Sequence, residues 1–479
     1  MPHAATRVHR AAPARLAPAP RAARTAAALS AALLAACGGA GSDGGSDSAR
    51  AGGATAAREA APAPCPGDNG GLTLPAGFCA TVFADSLGHA RHVAVAANGD
   101  VYLNTWSGRY YGGDKPPAAG FLVALRDTNR DGRADSVARF GTVPGRGGVG
   151  GTGIALHAGH LYAEEGPRIV RYALTAGQLA PTGDAQTIVD GFPLTGDHPQ
   201  HNFAIDSASG ALYANMGSAT NSCQVANRTE NSPGRKPCTE TATRAGVWRF
   251  EADRPGQRFG PQTRFATGIR NAVGLTVDPS SRALFATQHG RDQLAENWRA
   301  LYDPAEGQEA PAEEMLRVEQ GADFGWPTCY YDPAQQKRVL APEYGGDGGQ
   351  AVGECASKAA PAATFPAHWA PNALVFYSGR QFPERYRSGA FVAFHGSWNR
   401  IPGPQGGYNV VFVPRAADGG FGKFEEFADG FAGPNKQPDT ARHRPSGLAV
   451  APDGALYVAD DKRGRVWRIT YQGGAAGAE

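Results

Sequence analysis

Three stretches of the chain carry side chains suited to chemistry. In Thr267 to Pro279, reading TGIRNAVGLTVDP, Arg270 and Asn271 stand just before an alternating apolar run, where a loop enters a strand. A guanidinium at such an entrance suits a planar anionic ligand, because its rigid fork matches a carboxylate edge. Next, Gln288-His289-Gly290-Arg291-Asp292 follows a strand expected over Ala283 to Thr287, with a glycine at which backbone carbonyls can turn outward. Carbonyl oxygens are what a hard cation such as calcium binds. The third stretch, Gly196-Asp197-His198-Pro199-Gln200-His201-Asn202, sets imidazoles beside a carboxylate. A histidine that is neutral near pH 7 and oriented by a neighbour can act as a general base. Arginines recur in Arg442-His443-Arg444-Pro445-Ser446-Gly447 and in His395-Gly396-Ser397-Trp398-Asn399-Arg400. Separately, Asp127, Asn129, Asp131 and Asp135 in DTNRDGRAD fit the opening of a calcium loop. Its closing glutamate would fall at Ala138, which leaves a structural calcium site or a plain polar hairpin tip.

These residues need a scaffold that brings distant loops to one place, and the repeats supply it. VAVAANGDVYL from Val93, IALHAGHLYA from Ile154, FAIDSASGALYA from Phe203, LTVDPSSRALFA from Leu275 and LAVAPDGALYV from Leu448 share one hairpin pattern. LVFYSGRQFPERYRSGAFVAF from Leu374 is a looser copy. Six similar hairpins without a long helical period predict an all-β chain, a six-bladed β-propeller with long inter-blade loops. The competing arrangement, two stacked sandwiches, does not explain why the hairpins resemble one another. Strands at Ala80 to Ala84 and Val466 to Tyr471 are expected to share a blade and close the ring, which removes exposed sheet edges. The 65 glycines and 36 prolines in 479 residues fit many short strands and turns.

Residues 1–37 read as a signal peptide with a lipobox: arginines, the apolar run Thr25 to Ala36, then Cys37 after small residues, placed for lipidation. Residues 38–71 read as a flexible linker, 72–473 as the propeller and 474–479 as a tail. This predicts export and lipid anchoring at a bacterial cell envelope. The other six cysteines fall into local pairs, Cys65-Cys79, Cys223-Cys238 and Cys329-Cys355, which an oxidising compartment permits. Net charge is only +2, so there is no long-range field for nucleic acid, and membrane contact is expected through the lipid anchor alone.

Together GIRNAVGL, QHGRD, EEMLRVEQGADFGWP, the Asp197-His198 pair and the arginines before the sixth repeat resemble the soluble quinoprotein sugar dehydrogenases, the glucose/sorbosone dehydrogenase family. GADFGWPTCYYD and AFHGSWNR point to the branch of sorbosone-dehydrogenase-like lipoproteins. The likeness runs from about Leu72 to Tyr471. It implies a six-bladed propeller binding pyrroloquinoline quinone and calcium, in agreement with the repeat count. By this resemblance His198 is the catalytic base, with His201 the competing register, and Asp197 its orienting acid. Arg270 polarises the quinone oxygen and Asn271 lies beside it. The backbone carbonyls of Gly290 and Arg291 hold the cofactor's calcium. Arg444, with Arg442 as rival, grips the cofactor's carboxylates.

Two positions depart from the family pattern. A glycine run, Gly147 to Gly153 around Thr152, stands where the family has a glutamine before the second repeat. Asn399 stands near its cofactor-binding lysine, with Arg400 as the possible substitute. The leading expectation is a dehydrogenase dependent on pyrroloquinoline quinone and calcium. It would oxidise an aldose or related, sorbosone-like sugar to its lactone or acid and pass electrons to an unidentified acceptor. A calcium-dependent, lactonase-like hydrolase and a non-catalytic propeller binding sugar or protein are the alternatives.

Overall fold

The six recurring hairpins form the inner halves of six antiparallel sheets, set as blades around a channel. The structure, a computed structural model, describes residues 65, 67–105, 119–141, 151–401 and 403–473. The lipobox and Cys37, the linker up to residue 64, Gly147 to Gly150 and the tail 474–479 lie outside the described residues. The innermost strands, in blade order, are Ala90–Val95, Ile154–His157, Phe203–Ile205, Ala272–Val277, Pro371–Phe376 and Pro445–Val450. They line a central cavity of about 200 Å³. Closure follows the expected route: Phe78–Ala84 pairs antiparallel with Val466–Tyr471 as the outer strand of the sixth blade. The second blade gains a fifth strand, Gln257–Arg258, which pairs in parallel with Gln186–Asp190.

Packing follows from strand alternation. Each of the six blade-to-blade interfaces holds one apolar cluster. Gly389–Phe394, reading GAFVAF, is buried throughout because it serves two of them. Phe391 and Ala393 pack toward the sixth blade, while Ala390, Val392 and Phe394 pack toward the fourth. A strand buried on both faces reads as a continuous apolar run, which is why this repeat looked irregular in the sequence.

Every inner strand starts at the same end of the channel. Loops that enter inner strands therefore share a face with loops joining second to third strands, and four of these are long. Residues 106–121 join these strands in the first blade, 217–245 in the third, 289–312 in the fourth and 395–408 in the fifth. The segment after Glu313–Val318 also climbs to this face, carrying the hairpin Cys329–Asp332 with Lys337–Leu340. All three expected disulfides are formed, Cys65–Cys79, Cys223–Cys238 and Cys329–Cys355. The first shows that the ordered body begins before Leu72. Asn69 Oδ1 accepts from Ala80 N at 3.0 Å, and Trp467 Nε1 donates to Gly70 O at 3.2 Å. The DTNRDGRAD loop joins Leu122–Arg126 to Ser136–Phe140 on the opposite face of the ring.

Phe78 is the key of the closing strand. It is 3% exposed and meets Phe382, Tyr386 and Phe427 edge to face. Phe78→Ala is expected to lower unfolding free energy by about 3–5 kcal/mol, read as an earlier denaturant midpoint. A loss under about 1 kcal/mol would show that this closure does not hold the ring.

Candidate active site

The site is built around Arg270, delivered by the loop entering the fourth blade and only 3% exposed. Burial disfavours its charge, so the guanidinium needs acceptors on every side. Nε donates to Asn221 O at 3.0 Å, NH2 to Asn221 Oδ1 at 2.9 Å and to Asp292 Oδ2 at 3.0 Å, and NH1 to Gly290 O at 2.8 Å. The remaining contact, NH1 to His289 O, is long at 3.5 Å. That N–H is the one a ligand can most easily take. The backbone N–H of Arg270 donates to Gln288 Oε1 at 2.8 Å. Burial would raise the Asp292 carboxyl, but Arg270 and then Arg228 hold it well below the usual carboxylate range.

His198 stands beside this cation. Its Nδ1 lies 3.0 Å from both the carbonyl and the hydroxyl of Ser218, and that hydroxyl donates to Thr220 O at 2.6 Å. A carbonyl only accepts, so Nδ1 carries the proton and Nε2 keeps its lone pair. Among the described residues no protein group bonds Nε2. Ser218 also ties the histidine to its neighbour, since its backbone N–H donates to Arg270 O at 2.7 Å. Between them sits Gly217, where a Cβ would stand 2.5 Å from His198 Cβ and 2.9 Å from Asn271 Oδ1. Only glycine lets His198 and Asn271 approach so closely. Burial first, then the Arg270 charge, pushes His198 well below 6.5.

His201, the competing base, is fully engaged. Its ring lies 3.2 Å from Glu164 Oε1 and 3.1 Å from Pro193 O, and stacks on Phe192. Glu164 also accounts for Gly151 within the glycine run. Its Oε2 accepts from Thr152 N at 2.7 Å and Gly153 N at 3.1 Å, and a Cβ on Gly151 would stand 2.5 Å from its Cγ.

Other expected residues are placed differently. Asp197 does not orient His198; its carboxylate takes Arg228 Nε at 3.0 Å and the Asn227 amide at 3.3 Å, and Ser218 does the orienting. Arg400 does not face the cleft. It donates to Gln308 O at 2.9 Å and Ala367 O at 3.0 Å and pairs with Glu309, which pins the end of the helix Pro304–Glu309. Asn399 turns inward instead, its Nδ2 3.0 Å from Asp292 Oδ1. Arg442 is exposed, whereas Arg444 donates to His395 O at 2.9 Å and Gly396 O at 2.7 Å. Gly290 O is already an acceptor for Arg270, and the Arg291 side chain is buried against Glu343 with both contacts at 2.6 Å. Across the ring, Asp127 accepts from Arg130 N at 2.6 Å and Gly132 N at 2.8 Å, and Asp135 from Thr128 N at 3.0 Å.

Several groups carry the site without having stood out in the sequence. Asn221, Arg228 and Ser218 come from the long third-blade loop, and nothing local marks them. Arg91 had a signal: it stands just before the first repeat, as Arg270 does before the fourth, and it pairs with Asp461, which also meets His395 Nε2 at 2.7 Å. At the mouth Arg91 pairs with Asp461, Arg228 with Asp197 and Asp292, and Arg270 with Asp292, while the Arg444 guanidinium is held by the carbonyls of His395 and Gly396. Burial pushes Glu313 up to about 8. Arg270 and Asn271 at the entrance of the fourth blade and Arg444 at the entrance of the sixth are guanidinium and amide groups of the kind a polycarboxylate ligand would require.

A family model described as TrAA12-like matches residues 149–472. A pyrroloquinoline quinone-dependent pyranose dehydrogenase from Coprinopsis cinerea is 28% identical over 247 residues, 43% of this chain and 31% of that protein. The chain spans less than half the length of the curated relatives it matches. The calcium structure of Trichoderma reesei Carbohydrate-Active Enzymes Family AA12 has a TM-score of 0.66 at 17% identity, covering 86% of this chain and 98% of that one. The holo form of the pyranose dehydrogenase PQQ domain from Coprinopsis cinerea has a TM-score of 0.64 at 20% identity, covering 85% and 98%. These structures share the propeller fold.

Five buried histidines make stability sensitive to acid. Burial lowers His92 and His395 to about 4 and His289 to about 3, and also lowers His198 and His368. Between those values and 6.5 the unfolded chain binds protons that the folded chain refuses, so stability falls as pH drops below 6.5. Glu313 acts in the opposite direction, losing stability as pH rises from 4.5 toward about 8, but it is one group against five. Thermal midpoints are expected to fall steadily from pH 6.5 to 4; a flat profile would contradict these burials.

Proposed function

The chain belongs to the TrAA12-like family, and on that footing we propose that it is a dehydrogenase using pyrroloquinoline quinone, with calcium, to oxidise an aldose or related sugar to its lactone or acid. One observation carries the reading most strongly: a histidine whose Nε2 has no partner among the described residues is linked through Ser218 to a buried guanidinium. The chemistry the quinone supplies when bound is acceptance of two electrons as hydride. His198 Nε2 takes the proton of the sugar hydroxyl as the hydride leaves the same carbon, and a carbonyl forms there. Arg270 places positive charge where negative charge develops, and its fixed acceptors mean that little reorganisation is needed. Arg444 and Asn271 are assigned to the cofactor's carboxylates and ring edge, and the Arg291 carbonyl to calcium, the Gly290 carbonyl being already taken by Arg270.

The histidine's low pKa suits this role at neutral and mildly acid pH. The active, neutral form persists until pH falls well below 6.5, so the acid limb of kcat/KM is assigned there. A hydrolytic reading is less well supported, because the carboxylates of the mouth are spent on guanidiniums rather than grouped as a cation cage. Export to an oxidising envelope compartment, with Cys37 as lipid anchor, is part of the proposal, and the three disulfides support export. Cys37→Ser is expected to move the protein from membrane to soluble fractions; unchanged membrane association would remove the anchor.

The chemistry is tested with protein reconstituted with the quinone and calcium, on a panel of aldoses with a reducible dye. His198→Ala is expected to cut turnover by about two to four orders of magnitude while keeping quinone affinity. Arg270→Ala should weaken both. His201→Ala should change stability more than the chemical step, because both ring nitrogens already have partners. Activity lost in His201→Ala but kept in His198→Ala would move the base by three residues. Absence of quinone binding and of sugar oxidation in the unaltered protein would overturn the reading.

A further inference from the structure

Arg270 meets one carboxylate directly, Asp292, at 3.0 Å. A simple one-to-one pair would cancel most of the charge that the cleft needs. Asp292 is shared, however. Its Oδ2 also accepts from Arg228 NH2 at 3.0 Å, and its Oδ1 accepts from the Asn399 amide at 3.0 Å. Arg228 is itself clamped, with Nε on Asp197 Oδ2 at 3.0 Å, NH1 on Gln293 Oε1 at 3.1 Å and its backbone N–H on Gln224 Oε1 at 2.9 Å. Four charges thus alternate along one line, Asp197, Arg228, Asp292 and Arg270, from partly exposed to buried. Side-chain exposure is 24% at Asp197 and 30% at Arg228, against 16% at Asp292 and 3% at Arg270.

We propose that Arg228 is a positioning residue for the reaction, acting through Asp292 to leave the Arg270 guanidinium net positive toward the cleft and fixed in its plane. The inference rests on the dehydrogenase reading and assigns the third-blade loop a part in it. That loop is built for the task. The Cys223–Cys238 disulfide closes it, Asn221 bonds Arg270 twice from it, and Arg228 holds a left-handed backbone with φ of 56°. Asp197 is the outer counter-ion of this line, which accounts for a carboxylate beside His198 that does not touch the imidazole.

If Arg228 loses its charge, Asp292 acts on Arg270 alone and the positive potential at the cleft falls. The charged and titratable groups facing His198 are Arg270, Asp292 and His289, with Ser218 on Nδ1. Weakening Arg270 while freeing Asp292 shifts that balance toward the protonated ring. A purely structural role for Arg228 would move neither the histidine's titration nor the affinity for an anion.

The test uses the full, disulfide-intact protein as Arg228→Gln, Arg228→Lys and Asp197→Asn. Pyrroloquinoline quinone is titrated without sugar, by quenching of tryptophan fluorescence, and His198 is titrated by NMR. Arg228→Gln is expected to weaken quinone binding by about tenfold, discounting the pair for its partial exposure, and to raise the pKa of His198. Arg228→Lys should restore most of both, and Asp197→Asn should leave quinone affinity unchanged or tighter. Folded Arg228→Gln with the unaltered protein's quinone affinity and His198 titration would overturn the proposal. Should Arg228→Gln fail to fold, quinone binding weakened tenfold by Asp197→Asn would overturn it instead. If the unaltered protein binds no quinone, the dehydrogenase reading falls, while the His198 titration in Arg228→Gln still decides whether Arg228 is coupled to the site.

Discussion

A guanidinium buried to 3% exposure needs acceptors for its donors, and this requirement organises the whole upper face. No single blade supplies them. Asn221 comes from the third-blade loop, Gly290 and Asp292 from the fourth, and the Gln288 side chain holds the backbone from the end of a strand. Each of these must then be held by something else. Glu343, from the segment after the fourth blade's third strand, gathers Ser222, Arg291 and Trp298 at 3.1, 2.6 and 2.9 Å. Glu314 takes Gln288 at 2.8 Å and Arg338 at 2.6 Å. The long insertions therefore form a polar frame around one cation, and two disulfides keep that frame from opening.

The propeller makes such a frame possible because it separates two kinds of packing. Between blades the contacts are apolar and repeat six times, which leaves the loops free of the task of holding the ring. At the mouth the contacts are hydrogen bonds and ion pairs, whose geometry is specific to a few ångströms. Loops can thus be lengthened on one face without disturbing the core, and the first, third, fourth and fifth blades have used that freedom.

Much of the scaffold was legible because it repeats. Six hairpins, the closing strand and three local cysteine pairs are visible to anyone reading period and spacing, since each depends on neighbours in the chain. Arg270 and Arg444 were legible for the same reason: they stand at equivalent strand entrances. Asp197 was misleading. Adjacency to His198 in sequence suggested a hydrogen bond, but Arg228, some thirty residues on, claims the carboxylate. Arg400 misled in the same way, drawn off by a helix end about ninety residues before it. Partners supplied by long insertions leave no periodic trace, and a charge goes to the counter-ion that the fold brings within reach rather than to the nearest residue in the chain.

The two halves of the candidate chemistry are also linked by burial itself. A base must be neutral to take a proton, and a cation must keep its charge to stabilise an oxyanion, yet both are lowered by desolvation. The site separates the outcomes with one arrangement of charge. A guanidinium starts far above neutrality, so burial leaves Arg270 charged, with Asp292 near enough to oppose further loss. An imidazole starts at 6.5, so the same burial, followed by the field of that guanidinium, leaves His198 neutral. In the proposed reaction the cation that would serve the developing charge would thus also keep the base ready. Ser218 joins the two adjoining loops, so the guanidinium that keeps its own charge is held where its field keeps the imidazole neutral.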